Sequence, residues 1–300
     1  MRRPYEISGL LLLDKPSGPT SHDIVARMRR VLGERSIGHA GTLDPMATGL
    51  LVLVVGKATR LASLLTGRDK TYDATIRLGR ATTTDDADGE PLGVPAPVPD
   101  EAAVRAALER FTGTFAQVPP AHSAKKIAGT RAYALARAQR PVPVKPVDVT
   151  IHERIWQDMA GADLRIRIRV SAGFYVRALA RDLGTALGCG GHLTALRRTH
   201  SGTFRVEDAV TLAAAEGLGR DVAGRLIAPA DALPELPAVE LTDDGLRRVL
   251  HGNAVGPAQY QGPPPAGLRP DGRVRLLAGG RLVALARPEA GTLHPVVVLG

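Results

Sequence analysis

One carboxylate stands in a stretch of small residues, the segment HAGTLDPMATG that runs from His39 to Gly49. Pro45 follows Asp44 and disfavours the α conformation at the aspartate, which predicts an extended backbone there. Glycines at positions 41 and 49 permit a tight bend and let a ligand approach the main chain. On these residues alone two interpretations are open. The segment is either a structural turn that carries a solvated acid, or a turn that presents a carboxylate for chemistry.

The overall charge of the chain bears on that choice. Its 300 residues include 39 Lys and Arg against 30 Asp and Glu, which gives a formal net charge of +9. A basic field of this kind favours polyanionic partners, nucleic acid first and an anionic membrane second. Only six of the basic residues are lysine, and a bias towards arginine can also reflect genome composition. Aromatic residues make up only 3% of the chain, so each exposed tyrosine or histidine gains weight as a stacking candidate.

Cysteine content and the N-terminus indicate where the protein works. The single cysteine, Cys189, excludes an internal disulfide framework and a multi-thiolate metal site, which is typical of a reducing compartment. An apolar run near the N-terminus has four leucines before Asp14 and Lys15 interrupt it, too few for a signal peptide or a membrane span. We therefore expect a cytoplasmic protein that is one large domain, or a large domain with a small one.

The patterns on either side of the acid predict the elements that position it. GLLLLD is typical of a short buried strand, and HDIVARMRRVLG of a helix capped by Ser21 and ended by Gly33. GLLVLVVG predicts a continuous apolar strand directly after the loop, and TYDATIRLG alternates like a half-buried strand. Asp100 is placed to cap a further helix. The segment ADLRIRIRV alternates aliphatic residues with arginines, so one face is buried and the other is either solvated or turned towards RNA.

Two segments differ from this core in composition. From Thr114 to about Asp148 the chain mixes proline pairs, a basic cluster and a short helix-like RAYALARAQ, which predicts an insertion that projects from the core. The segment APADALPELP, residues 228–237, has the composition of a linker, and short strands with glycine turns follow it. The last 65 or so residues are therefore predicted to form a small β-rich module that docks on the main domain.

Six motifs carry a resemblance to a known family. They are GLLLLDKPSGPTSHD, GHAGTLDPMATGLLVL, KTYDATIRLG, SAKKIAGTRAYALAR, GFYVRALARDLG and GHLTALRRTHSGTF. In their order and spacing the chain resembles the TruB family of tRNA pseudouridine synthases over most of residues 9–210. The resemblance implies an α/β (α+β) fold with a mixed, mostly antiparallel central sheet, flanking helices and an inserted thumb. It further implies a catalytic domain at 1–231 and a small RNA-binding (PUA-like) module at 232–300.

The family resemblance also implies a reaction, the conversion of the uridine at position 55, in the T arm of transfer RNA, to pseudouridine. The C1′–N1 bond breaks, the uracil turns and C5 joins C1′, so nothing is oxidised and no group is lost; neither a metal nor an organic cofactor is expected. Asp44 would be the catalytic carboxylate, and it can stabilise C1′, attack it, or remove a proton from the sugar. The buried target nucleotide must be flipped out at a cost of a few kcal/mol.

The remaining site residues are assigned by the same resemblance. We expect Arg177 to pair with the acid and lower its pKa, and Tyr72 to stack on the base and help remove the C5 proton. Tyr175 and Leu196 would line the base pocket. His39 would occupy the space left by the base, and Lys15 would contact phosphate. The insertion, with Lys125, Lys126 and Arg131, would be the thumb that closes on the RNA arm.

Three other functions compete with this interpretation. A non-catalytic RNA-binding or RNA-chaperone protein would share the charge and the module, but would not need Asp44, Tyr72 and Arg177 together. An aspartyl-phosphate enzyme would need a second acidic cluster for magnesium, which the sequence does not suggest. A guide-RNA-dependent relative would be expected to carry long basic tails. We therefore expect transfer RNA as the partner of a monomer, with no membrane and no protein partner.

Overall fold

The computed structural model of the chain describes residues 7–120, 145–262 and 272–300, and the backbone alone of 126–127 and 130–131. The helices of these ranges are α1 (Ser21–Leu32), α2 (Ala62–Thr66), α3 (Glu101–Leu108), α4 (Val176–Ala186), α5 (Leu212–Leu218) and α6 (Asp243–Leu250). The strands up to the insertion are β1 (Gly9–Lys15), β2 (Ile37–His39), β3 (Thr48–Val55), β4 (Lys70–Leu78), β5 (Ala81–Thr82), β6 (Pro91–Leu92) and β7 (Gly113–Gln117). The later strands are β8 (Lys126–Ile127), β9 (Thr130–Arg131), β10 (Val147–Ala160), β11 (Asp163–Val170), β12 (Gly191–Ser201), β13 (Phe204–Arg205), β14 (Val210–Thr211), β15 (Ala238–Leu241), β16 (Tyr260–Gln261), β17 (Val274–Ala278), β18 (Arg281–Glu289) and β19 (Thr292–Val298).

Two sheets organise these elements. The larger follows the order β14-β1-β3-β12-β4-β11-β10-β7, with β2 beside β3 and β13 beside β12. Its pairs are antiparallel except β1 with β14 and β3 with β12. The smaller sheet has the order β16-β15-β17-β18-β19. The predicted mixed, mostly antiparallel sheet with flanking helices and a β-rich C-terminal region is confirmed, while the division into domains at 231/232 stays a prediction.

Strands β1 and β3 lie in the middle of the core and are covered on both faces. Leu11 and Leu13 of β1 belong to one apolar cluster with residues of helices α1 and α5, whereas Leu10 and Leu12 share a cluster with leucines of the smaller sheet, including Leu285. A strand buried on both faces needs an unbroken apolar sequence rather than alternation. This is why GLLLL and GLLVLVV contain almost no polar residues.

Helix α1, which packs beside the acid-bearing loop, begins one residue earlier than the sequence suggested. Its N-cap is Thr20, whose side chain accepts a hydrogen bond from the Asp23 amide while the Asp23 carboxylate accepts one from the Thr20 amide. The predicted cap, Ser21, is wrong because its hydroxyl is used elsewhere, in two hydrogen bonds with Leu43. Gly33 ends the helix in the left-handed conformation, as predicted, and Asp100 caps α3 as predicted.

The arginine face of β11 is balanced by carboxylates. Each of its three arginines contacts an aspartate of the same face, and the pairs are Arg165–Asp158 at 3.4 Å, Arg167–Asp73 at 2.6 Å and Arg169–Asp69 at 3.2 Å. Side chains committed to neighbouring acids present little net charge to a polyanion. Of the two interpretations of this face, the structure therefore favours the solvated one.

The predicted insertion is narrower than its composition suggested. Its first residues form β7 and its last begin β10, and Val147 pairs directly with Gln117 across these strands. Lys125 and the helix-like RAYALARAQ lie outside the described residues, as do the side chains of Lys126 and Arg131, whose backbones pair in a short antiparallel hairpin. The chain thus leaves and re-enters the sheet at adjacent positions. In the described part of the chain, no helix combines the length and apolar character that a membrane crossing requires.

Candidate active site

The loop between β2 and β3 carries Asp44 and is tied to its surroundings by backbone hydrogen bonds. The Ala40 amide donates to Val52 at 2.8 Å, and the Gly18 amide donates to Pro45 at 2.9 Å. Ser21 bonds both backbone groups of Leu43, which immediately precedes the acid. These bonds hold the aspartate in one position, which is what a catalytic carboxylate requires.

Lys15 fixes the same loop through hydrogen bonds to its backbone carbonyls. Its side chain is completely buried, and its ammonium donates to the carbonyls of Pro16, Pro45 and Ala47 at 2.9, 3.1 and 2.7 Å. Burial lowers the pKa of Lys15 to about 8, partly offset by Asp44. A side chain enclosed in this way has no surface left for RNA. The expected phosphate contact of Lys15 is therefore corrected to a role in fixing the loop.

Arg198 on β12 is a further buried cation that the sequence did not single out. Its guanidinium donates to the carbonyls of Leu50, Thr42 and Gly41, at 2.7, 3.3 and 3.0 Å. Close packing against β12 also explains Gly49, because a Cβ there would lie 2.3 Å from the Arg198 carbonyl oxygen at a φ of +98°. Nothing in the run RRTH marks its second arginine as the buried one, so sequence patterns could not find it.

Arg177, in the first turn of α4, pairs with Asp44 as expected. Its Nε lies 3.0 Å from one carboxylate oxygen of Asp44, and its Nη2 donates to the other at 3.3 Å. The same guanidinium donates to the Thr84 carbonyl at 3.0 Å and lies 3.4 Å from the carboxylate of Asp86. One buried arginine thus serves two aspartates. Asp86, which is 4% exposed, is a member of the site that the sequence analysis missed.

The electrostatics of Asp44 differ from the expectation. Burial raises the pKa of the Asp44 carboxyl above its ordinary value, and the Arg177 guanidinium offsets only part of this effect. The negative charge of Asp86 adds to the increase. The predicted net lowering by Arg177 is therefore wrong in direction, although the arginine acts with the expected sign. The pair is arranged to accommodate a carboxylate that is costly to ionise.

A cavity of about 230 Å³ opens beside this pair. Tyr72 from β4, Leu196 from β12 and Tyr175 at the start of α4 line it together with Asp44 and Arg177. Its volume lies below the range of roughly 300–1,000 Å³ that is typical of drug-sized ligands, so it suits a single small planar group. The structure therefore brings five of the predicted residues around one small space.

Tyr175 is held there through its backbone. The side chain of Gln117, which is 1% exposed, accepts from the Tyr175 amide at 2.9 Å and donates to its carbonyl at 3.1 Å. Gln117 is the last residue of β7, where the insertion begins. One side of the cavity is thus joined directly to the base of the insertion.

His39 occupies a different position from the other expected residues. It ends β2 and pairs with Leu53 of β3, and its ring meets that of His22 edge-on with centroids 5.5 Å apart. Among the described residues that line the cavity, His39 does not occur. Its role beside a departing base stays a prediction.

The chemistry available here is that of a carboxylate with an aromatic neighbour. In the described part of the chain, no group of three or more His, Cys, Asp or Glu is arranged to hold a metal ion. The arrangement offers a half-buried acid oriented by a guanidinium, with a phenol ring beside the same small cavity. Such a group can act as nucleophile, base or charge stabiliser towards a planar substrate.

Comparison with known proteins places this site in context. The family model described as TruB family pseudouridylate synthase (N terminal domain) matches residues 29–176, and the model described as tRNA pseudouridylate synthase B C-terminal domain matches residues 177–233. A protein of Thermobifida fusca named tRNA pseudouridine synthase B is 49% identical over 97% of this chain and 98% of its own length. The chain belongs to the TruB family of pseudouridylate synthases. The resemblance noted in the sequence is thereby confirmed.

Further relatives of this TruB-family chain agree. A protein of Arthrobacter sp. with the same name is 44% identical over 97% of this chain and 96% of its own length. Among solved structures, a Cbf5-Nop10-Gar1 complex matches with a TM-score of 0.74 at 27% identity, covering 100% of this chain and 88% of that one. The archaeal box H/ACA sRNP Nop10-Cbf5 complex matches with a TM-score of 0.72 at 26% identity, covering 100% and 89%.

Proposed function

We propose that this TruB-family enzyme converts uridine 55, in the T arm of transfer RNA, to pseudouridine, with Asp44 as the essential carboxylate. The observation that carries the proposal is the Asp44–Arg177 pair on the wall of a small cavity that Tyr72 also lines. Transfer RNA as the substrate is supported by the names of the relatives.

Each step of the isomerisation needs a group that the cavity contains. The C1′–N1 bond breaks and a C1′–C5 bond forms, while the base loses a proton from C5 and gains one at N1. Asp44 stabilises the electron-poor C1′, attacks it, or removes a sugar proton, and all three routes require the ionised form. Because burial raises the pKa of Asp44, Arg177 has to hold that ionised form in position.

Base recognition follows from the rest of the lining. Tyr72 offers a ring on which a flipped uracil stacks, an interaction of roughly 1–3 kcal/mol per base. This gain offsets the few kcal/mol needed to unstack the nucleotide. Leu196 and Tyr175 complete the apolar walls. The small volume of the cavity favours a single base over a base still paired in a helix.

The experiment that tests the proposal is turnover on unmodified transfer RNA. Substrate labelled with tritium at uracil C5 releases the label when C1′–C5 forms, and mapping of the product locates the pseudouridine. We expect one modified position, in the T arm. Binding without any tritium release would instead support the RNA-chaperone alternative.

The role of Asp44 is tested in the same assay. Asp44→Asn should abolish release while affinity for transfer RNA stays within a few fold, because phosphate contacts dominate RNA binding. Asp88→Asn is the matched control, since it removes the same charge from an exposed position and should keep turnover. Pseudouridine formation by Asp44→Asn would exclude Asp44 as the essential group.

A further inference from the structure

Two buried cations line the active-site cavity without any role in the chemistry described above. Lys70, the first residue of β4, is 7% exposed, and Arg198 of β12 is 1% exposed. Both contribute to the cavity lining together with Tyr72. Side chains alternate along a strand, so Lys70 and Tyr72 lie on the same face of β4. Arg198 is the cross-strand partner of Tyr72. The two cations therefore flank the ring on which the uracil is expected to stack.

Both cations bond to carbonyl groups rather than to acids. Lys70 donates to the carbonyls of Thr66 and Arg68, the latter at 2.6 Å. Arg198 donates to two loop carbonyls and to one carbonyl of β3. Within the described residues, no carboxylate lies within 4.0 Å of either side chain. This contrasts with Arg177, which faces two aspartates. Burial lowers the pKa of Lys70 to about 8, and the nearby charge of Arg198 adds to the decrease.

The hydrogen-bonding capacity of the two groups is incompletely used. An ammonium has three donors and a guanidinium has five. With the bonds given above, Lys70 retains one unused N–H and Arg198 retains two, counted over the part of the chain that the structure describes. Leaving buried charged donors unsatisfied is costly unless a ligand completes them. If the two cations served only to hold the neighbouring backbone in place, they would not need to lie on the wall of the cavity.

Gly41 keeps the space between the two cations open. A Cβ at this position would lie 3.5 Å from Nη1 of Arg198 and 3.7 Å from Cε of Lys70. A methyl group at this position would already be in van der Waals contact with both side chains. The φ of +113° at Gly41 further restricts the position to glycine. The result is a notch at the cavity wall, formed by Gly41, Lys70 and Arg198, with positive charge on both sides.

We propose that this notch binds a phosphodiester group next to the flipped uridine. The inference rests on the proposed function and assigns the backbone anion that accompanies the base into the cavity. A phosphate supplies the negative charge that is missing beside the two cations, and its oxygens can accept hydrogen bonds from their unused N–H groups. It fits the position as well, because the backbone of a nucleotide continues beside its base. Lys70 and Arg198 thus anchor the nucleotide while Tyr72 holds the uracil.

The test neutralises one phosphate at a time. A T-arm RNA hairpin is synthesised with a methylphosphonate, which is uncharged, on either the 5′ or the 3′ side of the target uridine, and kcat/KM is measured by tritium release. For the wild-type enzyme we expect one of the two positions to lower kcat/KM about tenfold or more, since bonds between charged groups are the strong ones. In Lys70→Met, the same replacement should lower kcat/KM by a clearly smaller factor than in wild type, because one of the two cations that bind the phosphate is already absent and only Arg198 remains.

Lys57→Met is the matched control. Lys57 lies outside the cavity and donates to the Gly300 carbonyl at 2.5 Å, so its replacement should leave the full phosphate sensitivity. Equal losses in wild type and Lys70→Met at both positions would show that Lys70 only supports the turn between α2 and β4. If Lys70→Met does not fold, Lys70→Gln, whose amide can still donate to the carbonyls, repeats the comparison.

The wild-type enzyme alone can overturn the proposal. If neither methylphosphonate alters kcat/KM, the notch binds no phosphate and the proposal is overturned, while normal turnover of the unmodified hairpin leaves the proposed function standing. If wild-type enzyme makes no pseudouridine in either the unmodified hairpin or transfer RNA, the proposed function itself fails. The two failures are therefore separate results.

Discussion

Replacing Arg177 by lysine is the sharpest test of the site's electrostatics. The wild-type guanidinium contacts Asp44 through Nε and Nη2 and reaches Asp86 and the Thr84 carbonyl through Nη1. A lysine brings one compact ammonium and cannot span two carboxylates. Whichever aspartate it abandons is left as a buried or half-buried charge without its partner. We expect Arg177→Lys to reduce both stability and turnover.

The magnitude follows from the burial of the two acids. Asp86 is 4% exposed, and removing one partner of a buried ion pair costs about 3–5 kcal/mol. The side chain of Asp44 is 35% exposed, so water compensates in part when its partner is removed. If lysine stays with Asp44, the free energy of unfolding falls by about 3–5 kcal/mol. If it stays with Asp86, the decrease in the free energy of unfolding is smaller, but turnover falls further because Asp44, the proposed catalytic carboxylate, is no longer oriented.

Arg181→Lys provides a control on the same helix, one turn later. Arg181 pairs with Asp85 at 3.2 Å and with Asp182 at 2.8 Å, but its side chain is 27% exposed. For a pair that water reaches, we expect the free energy of unfolding to fall by about 1 kcal/mol or less. Urea unfolding at pH 7 measures the stability of both variants, and single-turnover tritium release measures their chemistry. Normal turnover in Arg177→Lys, or a stability equal to that of Arg181→Lys without a greater loss of turnover, would refute the reasoning.

Three further predictions concern the acid, the glycine behind it and the insertion. Asp44→Asn should raise the melting temperature at pH 7, because a carboxyl whose pKa is raised by folding destabilises the protein when it is ionised. The difference in melting temperature from wild type should vanish below about pH 4, where the carboxyl is protonated in both the folded and the unfolded state. An unchanged melting temperature at pH 7 would contradict this prediction. Gly49→Ala should lower the free energy of unfolding by about 1–3 kcal/mol more than Gly18→Ala, since both have positive φ but only Gly49 meets a neighbour, the backbone of β12; equal urea midpoints would refute this. A short glycine–serine linker in place of residues 118–146 should leave the core folded, since Gln117 and Val147 on either side of it pair with each other in the sheet. The same replacement should lower RNA affinity and make its log–log dependence on salt shallower, by roughly 0.7–0.9 in slope for each phosphate that the protein no longer neutralises; an unchanged slope would show that the segment does not bind RNA.

Local patterns predicted the elements of the fold well, because their physical causes are local. The alternation in β11 reports directly which residues face the core, and Leu164, Ile166 and Ile168 are indeed buried. The cap at Thr20 was missed for a reason that lies far along the chain. Both Thr20 and Ser21 can cap a helix, and the choice depends on Leu43, which takes the hydroxyl of Ser21. A neighbour in space, rather than in sequence, decided between them.

The site shows the same limit more strongly. Asp44 and Arg177 were indicated only by family resemblance, and no periodicity links positions 133 residues apart. Lys15 precedes a proline in a turn-like segment, which is typical of a surface position, yet the loop that covers it begins about 30 residues later. Asp86 lies in an acidic stretch that looks solvated, and only the contact with Arg177 reveals its role. Whether a charged side chain is buried depends on tertiary contacts with distant segments, and the local sequence around it does not show those contacts.

The shared apolar layer between the two sheets has a consequence for how the chain can be shortened. Leu10, Leu12 and Leu50 of the larger sheet share an apolar cluster with Leu282 and Leu285 of the smaller sheet and with Leu299, which follows it. A truncation after residue 231 would uncover these leucines on strands whose other face supports the Asp44 loop. Such a fragment should be poorly soluble. In the full-length protein, the regions of the two sheets should unfold in a single thermal transition. The smaller sheet therefore covers an apolar face of the larger sheet, and the structure of the larger sheet depends on it.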